Sequence, residues 1–173
     1  GFTTSGGTAL ATAQAAGSAA LLKAAHPTWG PSEIISTLTT TARPSVRIDN
    51  THLGTPFDQG AGMLDLAKAA RAGLSLDVST ASFRSSDPAH GGTAHNLNLP
   101  SLVHDSCFEQ CNLSRSVRDL IGGGTWQVSV NVPGAVITPD TTRFTLASNA
   151  TRTIPFGVDV RNPASAGPWL LGT

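Results

Sequence analysis

The sequence carries no surplus of either charge, since eleven basic and eleven acidic residues cancel and neither sign is clustered. A basic face for nucleic acid is therefore not expected. No run of about eighteen apolar residues is present, which leaves no transmembrane helix to expect. The most apolar stretch, Ala9–Ala25, is too rich in alanine and glycine for a span and reads as a buried helix. Cysteine is also scarce, with only two residues. The chain starts at Gly1 rather than methionine and shows no signal peptide, and it reads as the C-terminal part of something longer. Its 173 residues suffice for one moderate core or two small ones.

Near the start, Gly7-Thr8-Ala9-Leu10-Ala11-Thr12-Ala13-Gln14-Ala15-Ala16-Gly17-Ser18-Ala19-Ala20-Leu21-Leu22-Lys23 predicts a helix. Leu10, Ala13, Gly17, Leu21 and Ala24 recur at helical spacing, and small residues on one face let a helix pass close to a sheet. Thr8 is the expected N-cap, and His26-Pro27 marks the end, because the residue before proline is driven out of the helical region. This segment resembles the nucleophile helix of subtilisin-like serine proteases, whose pattern reads G-T-S-M-A-T-P-H-V-A-G-A-A-A-L-L. Ala9 stands where that pattern has its serine. The M, P, H and V positions are Leu10, Ala13, Gln14 and Ala15, so the motif has changed on both sides of the missing hydroxyl.

Acyl transfer in that family needs the hydroxyl, a histidine to take its proton, an aspartate to orient the histidine, and an oxyanion donor. The resemblance places the last three upstream of this helix. Ser5 is a poor substitute for position 9, because using it requires a register slip that the match from Gly17 to Lys23 excludes. His26 lies roughly 25 Å along the helix from position 9 at the standard rise per residue and reads as a helix-end histidine. No intact catalytic residue is expected.

Pro31–Ala42 predicts a second helix, with Gly30 as cap and Pro31 in the first turn. It resembles the P-x-E-I-x-x-x-L-x-x-T-A segment that follows the serine helix in the family. Arg43 to Pro56 is polar and turn-rich and reads as an exposed loop. Phe57-Asp58-Gln59-Gly60-Ala61-Gly62-Met63-Leu64-Asp65 is similar to the family's G-x-G turn into a last short helix, here Leu64–Ala72. A phosphate-cradling role for Gly60 and Gly62 is a weak alternative, because no strand precedes them and no third glycine or lysine follows at the required spacing.

Beyond about Leu76 the periodicity changes to two. Trp126, Val128, Val130 and Val132 alternate with polar residues, as do Ile154, Phe156, Val158 and Val160 with Pro155, Gly157, Asp159 and Arg161. Leu113–Leu120 and Thr142–Leu146 are two further candidate strands, and turn signals at Gly122–Gly124, Pro133-Gly134, Pro139-Asp140 and Asn162-Pro163 separate them at the intervals of a β-sandwich. This half resembles the fibronectin-type-III-like domain that often follows the catalytic domain of large secreted subtilases, including the N-L-P-S lead-in at Asn98–Ser101 and the T-W-x-V-x-V strand at Thr125–Val130.

The expected fold is an α/β fragment, the C-terminal helices of a subtilisin-like domain over residues 1–75. An all-β fibronectin-III-like sandwich follows over 76–173, truncated at its C-terminus. The expected function is that of the C-terminal fragment of a secreted subtilisin-like serine endopeptidase or an inactive relative, not proteolytic by itself. A non-enzymatic interaction or accessory sandwich module is the alternative. The resemblance implies a polypeptide substrate only for an intact ancestor, a missing N-terminal part of the peptidase domain as partner, no cofactor, and an extracellular location.

Cys107 and Cys111 form a C-x3-C pair that suits a redox couple, half a metal site or a local disulfide. A metal site needs two further ligands, and the nearest histidine, His104, supplies one. The disulfide is preferred, since the cysteines can meet if the chain turns at Phe108-Glu109-Gln110 before the Leu113–Leu120 strand. So small a loop is expected to gain less than the ~3 kcal/mol of a fifteen-residue one. Asn112-Leu113-Ser114 and Asn149-Ala150-Thr151 match the glycosylation sequon, which is frequent by chance, and are read as such.

Overall fold

The computed structural model describes residues 5–161 and 169–173. Its helical half comes first. Helix α1 spans Thr8–Ala25 and α2 spans Pro31–Thr40. Gly7, with φ 148°, takes the N-cap of α1, so Thr8 is the first helical residue rather than the cap expected from sequence. At α2 the Gly30 N–H donates to the Glu33 carboxylate at 2.9 Å, and Pro31 follows in the first turn, where a missing N–H costs nothing. Two one-turn helices follow, α3 at Pro56–Gln59 and α4 at Leu66–Ala69. The helix expected over Leu64–Ala72 is thus confined to a single turn, started by Asp65, whose carboxylate accepts the Lys68 N–H at 3.1 Å. Leu22, Trp29, Ile34, Leu38 and Ala69 form the core of this half.

The sheet half contains antiparallel strands β1 (Leu74–Ser75), β2 (Gln110–Asp119), β3 (Gly123–Gln127), β4 (Val136–Pro139), β5 (Arg143–Ala147) and β6 (Thr151–Asp159). One sheet has the order β1-β2-β6-β4, and the other pairs β3 with β5. The long β2–β6 ladder places Leu113 opposite Phe156 and Val117 opposite Arg152. Alternation along β2 and β6 turns Leu113, Val117, Ile154 and Phe156 to one face, where they meet Phe144 and Leu146 of β5, with Trp126, Val128 and Val130 packed alongside. The run expected as a strand over Trp126–Val132 leaves its ladder at Gln127, opposite Arg143, because the partner strand begins there. Its alternation persists because Val128 and Val130 still face the same core. Strand β4 was not apparent from sequence, since its Pro139 reads as a turn; it lies on the sheet edge, where proline removes no ladder bond.

Between β1 and β2 lie a short helix α5 (Thr80–Ser85) and two 3₁₀ turns, Pro88–His90 and Ala94–Asn96. This connection runs back over the sheet and is anchored to β2 by side chains. Asn98 Nδ2 donates to Asp77 O and Ser116 O, and Asn98 Oδ1 accepts the Ser116 N–H at 2.7 Å.

Candidate functional site

Ala9 occupies the second position of α1 and is exposed to solvent. Helix α1 forms because alanine and leucine lose little conformational freedom there, and it is held by its C-terminal half. Leu22, 1% exposed, inserts beside Trp29, Ile34, Leu38 and Ala69. Lys23 Nζ caps the following turn by donating to Pro27 O and Trp29 O, both at 2.8 Å. The N-terminal turns that carry Ala9 have no such anchor: Leu10 is 46% exposed. A methyl group at position 9 supplies no nucleophile, and exposed Ser5 precedes the helix.

Each of the five histidines is engaged away from position 9. His26 stacks on Trp29 with ring centroids 3.8 Å apart and planes at 5°, and its Nε2–H donates to Ala70 O at 2.8 Å, which makes it a support for the helix end. His52 and His90 sit in exposed turns against Asp49 and Asp87, at 2.7 and 3.0 Å. The Asp49 carboxyl is held below the usual carboxylate range, first by the His52 side chain and then by the backbone N–H groups of His52 and Thr51. His95 and His104 stack on each other with centroids 4.3 Å apart. No histidine–aspartate pair is therefore assembled at the start of α1 among the described residues.

Gly60 and Gly62 are explained by chain geometry. Gly62 has φ 108°, and a Cβ there would lie 2.2 Å from Arg43 O, within the antiparallel bridge between Arg43 and Met63. Only glycine lets these two segments approach so closely. Cys107 and Cys111 are joined by a disulfide with Cα atoms 5.5 Å apart, and Glu109 between them adopts φ 56° to close the loop. Cys111 is the second residue of β2, so the bridge sits at the start of that strand. Asn112 lies exposed in β2 opposite Gly157, and Asn149 is exposed at the turn into β6 with φ 58°.

The connection ahead of β2 holds a cluster not foreseen from the sequence. His95, His104 and Asp105 each direct a ligating atom into one region, with all three atoms within 4.8 Å of one another. His104 thus meets a second histidine rather than the cysteines beside which its sequence position suggested a role. The only cue in the sequence is two histidines nine residues apart in a loop, which carries no information until the loop's path is known. Arg115 of β2 lies below that path, 6% exposed, and burial lowers its pKa from the ordinary arginine value.

Residues 1–62 match the model of the subtilase family. Among curated proteins, the chain is 46% identical over 79 residues to subtilisin-like protease SBT3 of Solanum lycopersicum, covering 42% of this chain and 10% of that protein. It is 29% identical over 197 residues to subtilisin-like protease SBT1.7 of Arabidopsis thaliana, covering 94% of this chain and 26% of the relative. Against subtilisin-like protease SBT3.2 of Arabidopsis thaliana the identity is 31% over 194 residues, with 92% and 26% covered. The chain spans about a quarter, 26%, of the length of each of these two Arabidopsis relatives. By these similarities, and by the family match over the segment that carries α1, α2 and α3, the chain is related to the subtilisin-like serine proteases.

Proposed function

We propose that this chain is the C-terminal portion of a secreted subtilisin-like serine endopeptidase or of an inactive relative, and that it is not proteolytic by itself. Residues 1–75 correspond to the end of the peptidase domain, and 76–173 to a fibronectin-III-like sandwich. The observation that carries this reading is the subtilase match over residues 1–62; our reading of the motif within that segment puts Ala9, the second residue of α1, at the serine position. A hydroxyl there would have no base within the described residues to accept its proton. A polypeptide substrate belongs to an intact relative, and the absent triad residues to a preceding part of the peptidase domain. The Cys107–Cys111 disulfide supports an oxidising, extracellular setting. The separate core of the sheet half, Leu113, Val117, Phe144, Leu146, Ile154 and Phe156, favours as second reading a non-enzymatic accessory module.

The test is a nucleophile-directed fluorophosphonate probe applied to the purified chain and to Ala9→Ser. Neither is expected to label, because restoring the hydroxyl does not restore its base. Stoichiometric labelling mapped to position 9 of the variant overturns the reading.

A further inference from the structure

We propose that His95, His104 and Asp105 form a binding site for a divalent transition-metal ion, zinc being the probe of choice, and that the ion ties the Ala94–Asn96 turn to the loop entering the disulfide. The donor set is two imidazoles and one carboxylate, whose ligating atoms lie within 4.8 Å of one another. Calcium and magnesium prefer all-oxygen shells, whereas two ring nitrogens with one carboxylate suit zinc and its neighbours. An ion about 2.1 Å from each donor holds the donors roughly 3.4 Å apart in a tetrahedral shell. The in-plane lone pairs of the near-parallel, stacked rings do not yet converge, and ligation turns the half-buried imidazoles out of the stack while the exposed Asp105 swings in. Three protein ligands leave the fourth position to water.

The backbone that presents these side chains is already ordered. Arg115 Nη1 donates to His95 O at 3.3 Å, its Nε to Leu99 O at 2.6 Å, and its Nη2 to Ser101 O, so one buried guanidinium grips three carbonyls along the loop. Asn98 fastens the middle of the same loop to Ser116. Thr93 Oγ1 accepts from Asn96 Nδ2 at 2.6 Å across the turn that contains His95. With the carbonyls held, the two imidazoles stack at 4.3 Å with planes 20° apart, and the loop-closure entropy of bringing them together is spent on folding. Among the described residues, the one competitor for a His104 ring nitrogen is a long, exposed bond from the Ser106 N–H to Nδ1 at 3.3 Å, which an ion can displace.

The experiment uses the full chain with its disulfide intact and zinc chloride as titrant. Calorimetry is expected to give one ion per chain, and imidazole nitrogen resonances of His95 and His104 to shift while those of His26, His52 and His90 stay in place. His104→Gln and Asp105→Asn are each expected to weaken binding roughly tenfold or more, and His52→Gln, which removes an exposed histidine–aspartate pair elsewhere, is expected to leave it unchanged. Where a variant fails to fold, the ring resonances of the unaltered chain decide. Absence of saturable one-to-one binding, shifts at His52 or His90 instead, or undiminished affinity after His104→Gln would overturn the site and leave the stacked pair as packing alone.

Discussion

Asp119 shows what one buried side chain does for the sheet half. It is fully buried, and its Oδ2 accepts the N–H groups of Gly122 at 2.9 Å, Gly123 at 2.8 Å and Asn149 at 3.3 Å. The turn from β2 to β3 and the turn from β5 to β6 thus share one carboxylate, which joins the two sheets at this end. Asp119→Ala removes the acceptor from all three donors and is expected to cost about 3 kcal/mol or more. Asp119→Asn keeps an acceptor oxygen, so a smaller loss is expected. Urea midpoints at constant slope measure both, and equal losses from the two substitutions would show that the carboxylate's hydrogen bonds are not what matters. Ala9 is the opposite case: an exposed methyl with little structural consequence, whose interest rests on the proposed correspondence with the nucleophile serine.

At the scale of elements, α1 and α2 differ in how they are held. Helix α2 buries Ile34, Ser36, Thr37 and Leu38, pairs Glu33 with Arg118 of β2, and accepts the Leu76 N–H on Ser36 Oγ at 2.8 Å. Helix α1 is eighteen residues long but fully buries Leu22 alone, and Leu21 is 60% exposed. The unpacked N-terminal turns of α1 are shorter than the ~12–15 residues below which isolated helices are marginal in water, since packing rather than propensity supplies most helical stability in proteins. Amide exchange is therefore expected to be fast across Ala9–Gln14 and slow only near Leu22. Leu22→Ala is expected to cost roughly 2–5 kcal/mol. The exposed Leu10 and Leu21 are expected to drive self-association, and Leu10→Glu with Leu21→Glu to reduce it without lowering the unfolding midpoint. A chain that is monomeric before those changes, with strong protection throughout Ala11–Leu22, would contradict this account.

Across the whole molecule the two cores are joined through a narrow seam. Leu120, next after β2, packs on the helical core, and its N–H donates to Gly73 O at 2.9 Å. Gly73 lies under the Trp126 ring: a Cβ there would be 2.2 Å from Cη2 of that ring and 3.3 Å from the end of Ile121. Together with Glu33–Arg118 and Ser36–Leu76, this contact makes α2, β1, β2 and β3 mutually dependent. Gly73→Ala is expected to displace Trp126 and lower the thermal midpoint of both halves together. Trp29 and Trp126 lie in different cores and provide separate fluorescence probes once Trp169 and, in turn, the other of the two are replaced by phenylalanine. Two widely separated transitions in the unaltered chain would show that the seam does not couple the halves.

The sequence by itself determined the features whose information is local. Helices α1 and α2 follow from spacing, capping glycine and proline. Strand β6 follows from period-two alternation, because each of these signals lies within about eighteen residues and acts through the backbone's own periodicity. Only the tertiary structure decided where ladders end, how the edge strand containing Pro139 finds β6, and why α4 stops after one turn, since each depends on partners far along the chain. The same holds for Asp119, whose partner Asn149 is thirty residues distant. It holds too for His95 and His104, which meet because the Arg115 guanidinium gathers the carbonyls of the loop between them. Side chains brought together by a folded path leave no periodic trace, and hydrogen bonds to backbone carbonyls leave none at all, because every residue carries a carbonyl and the sequence does not say which one a buried guanidinium will reach.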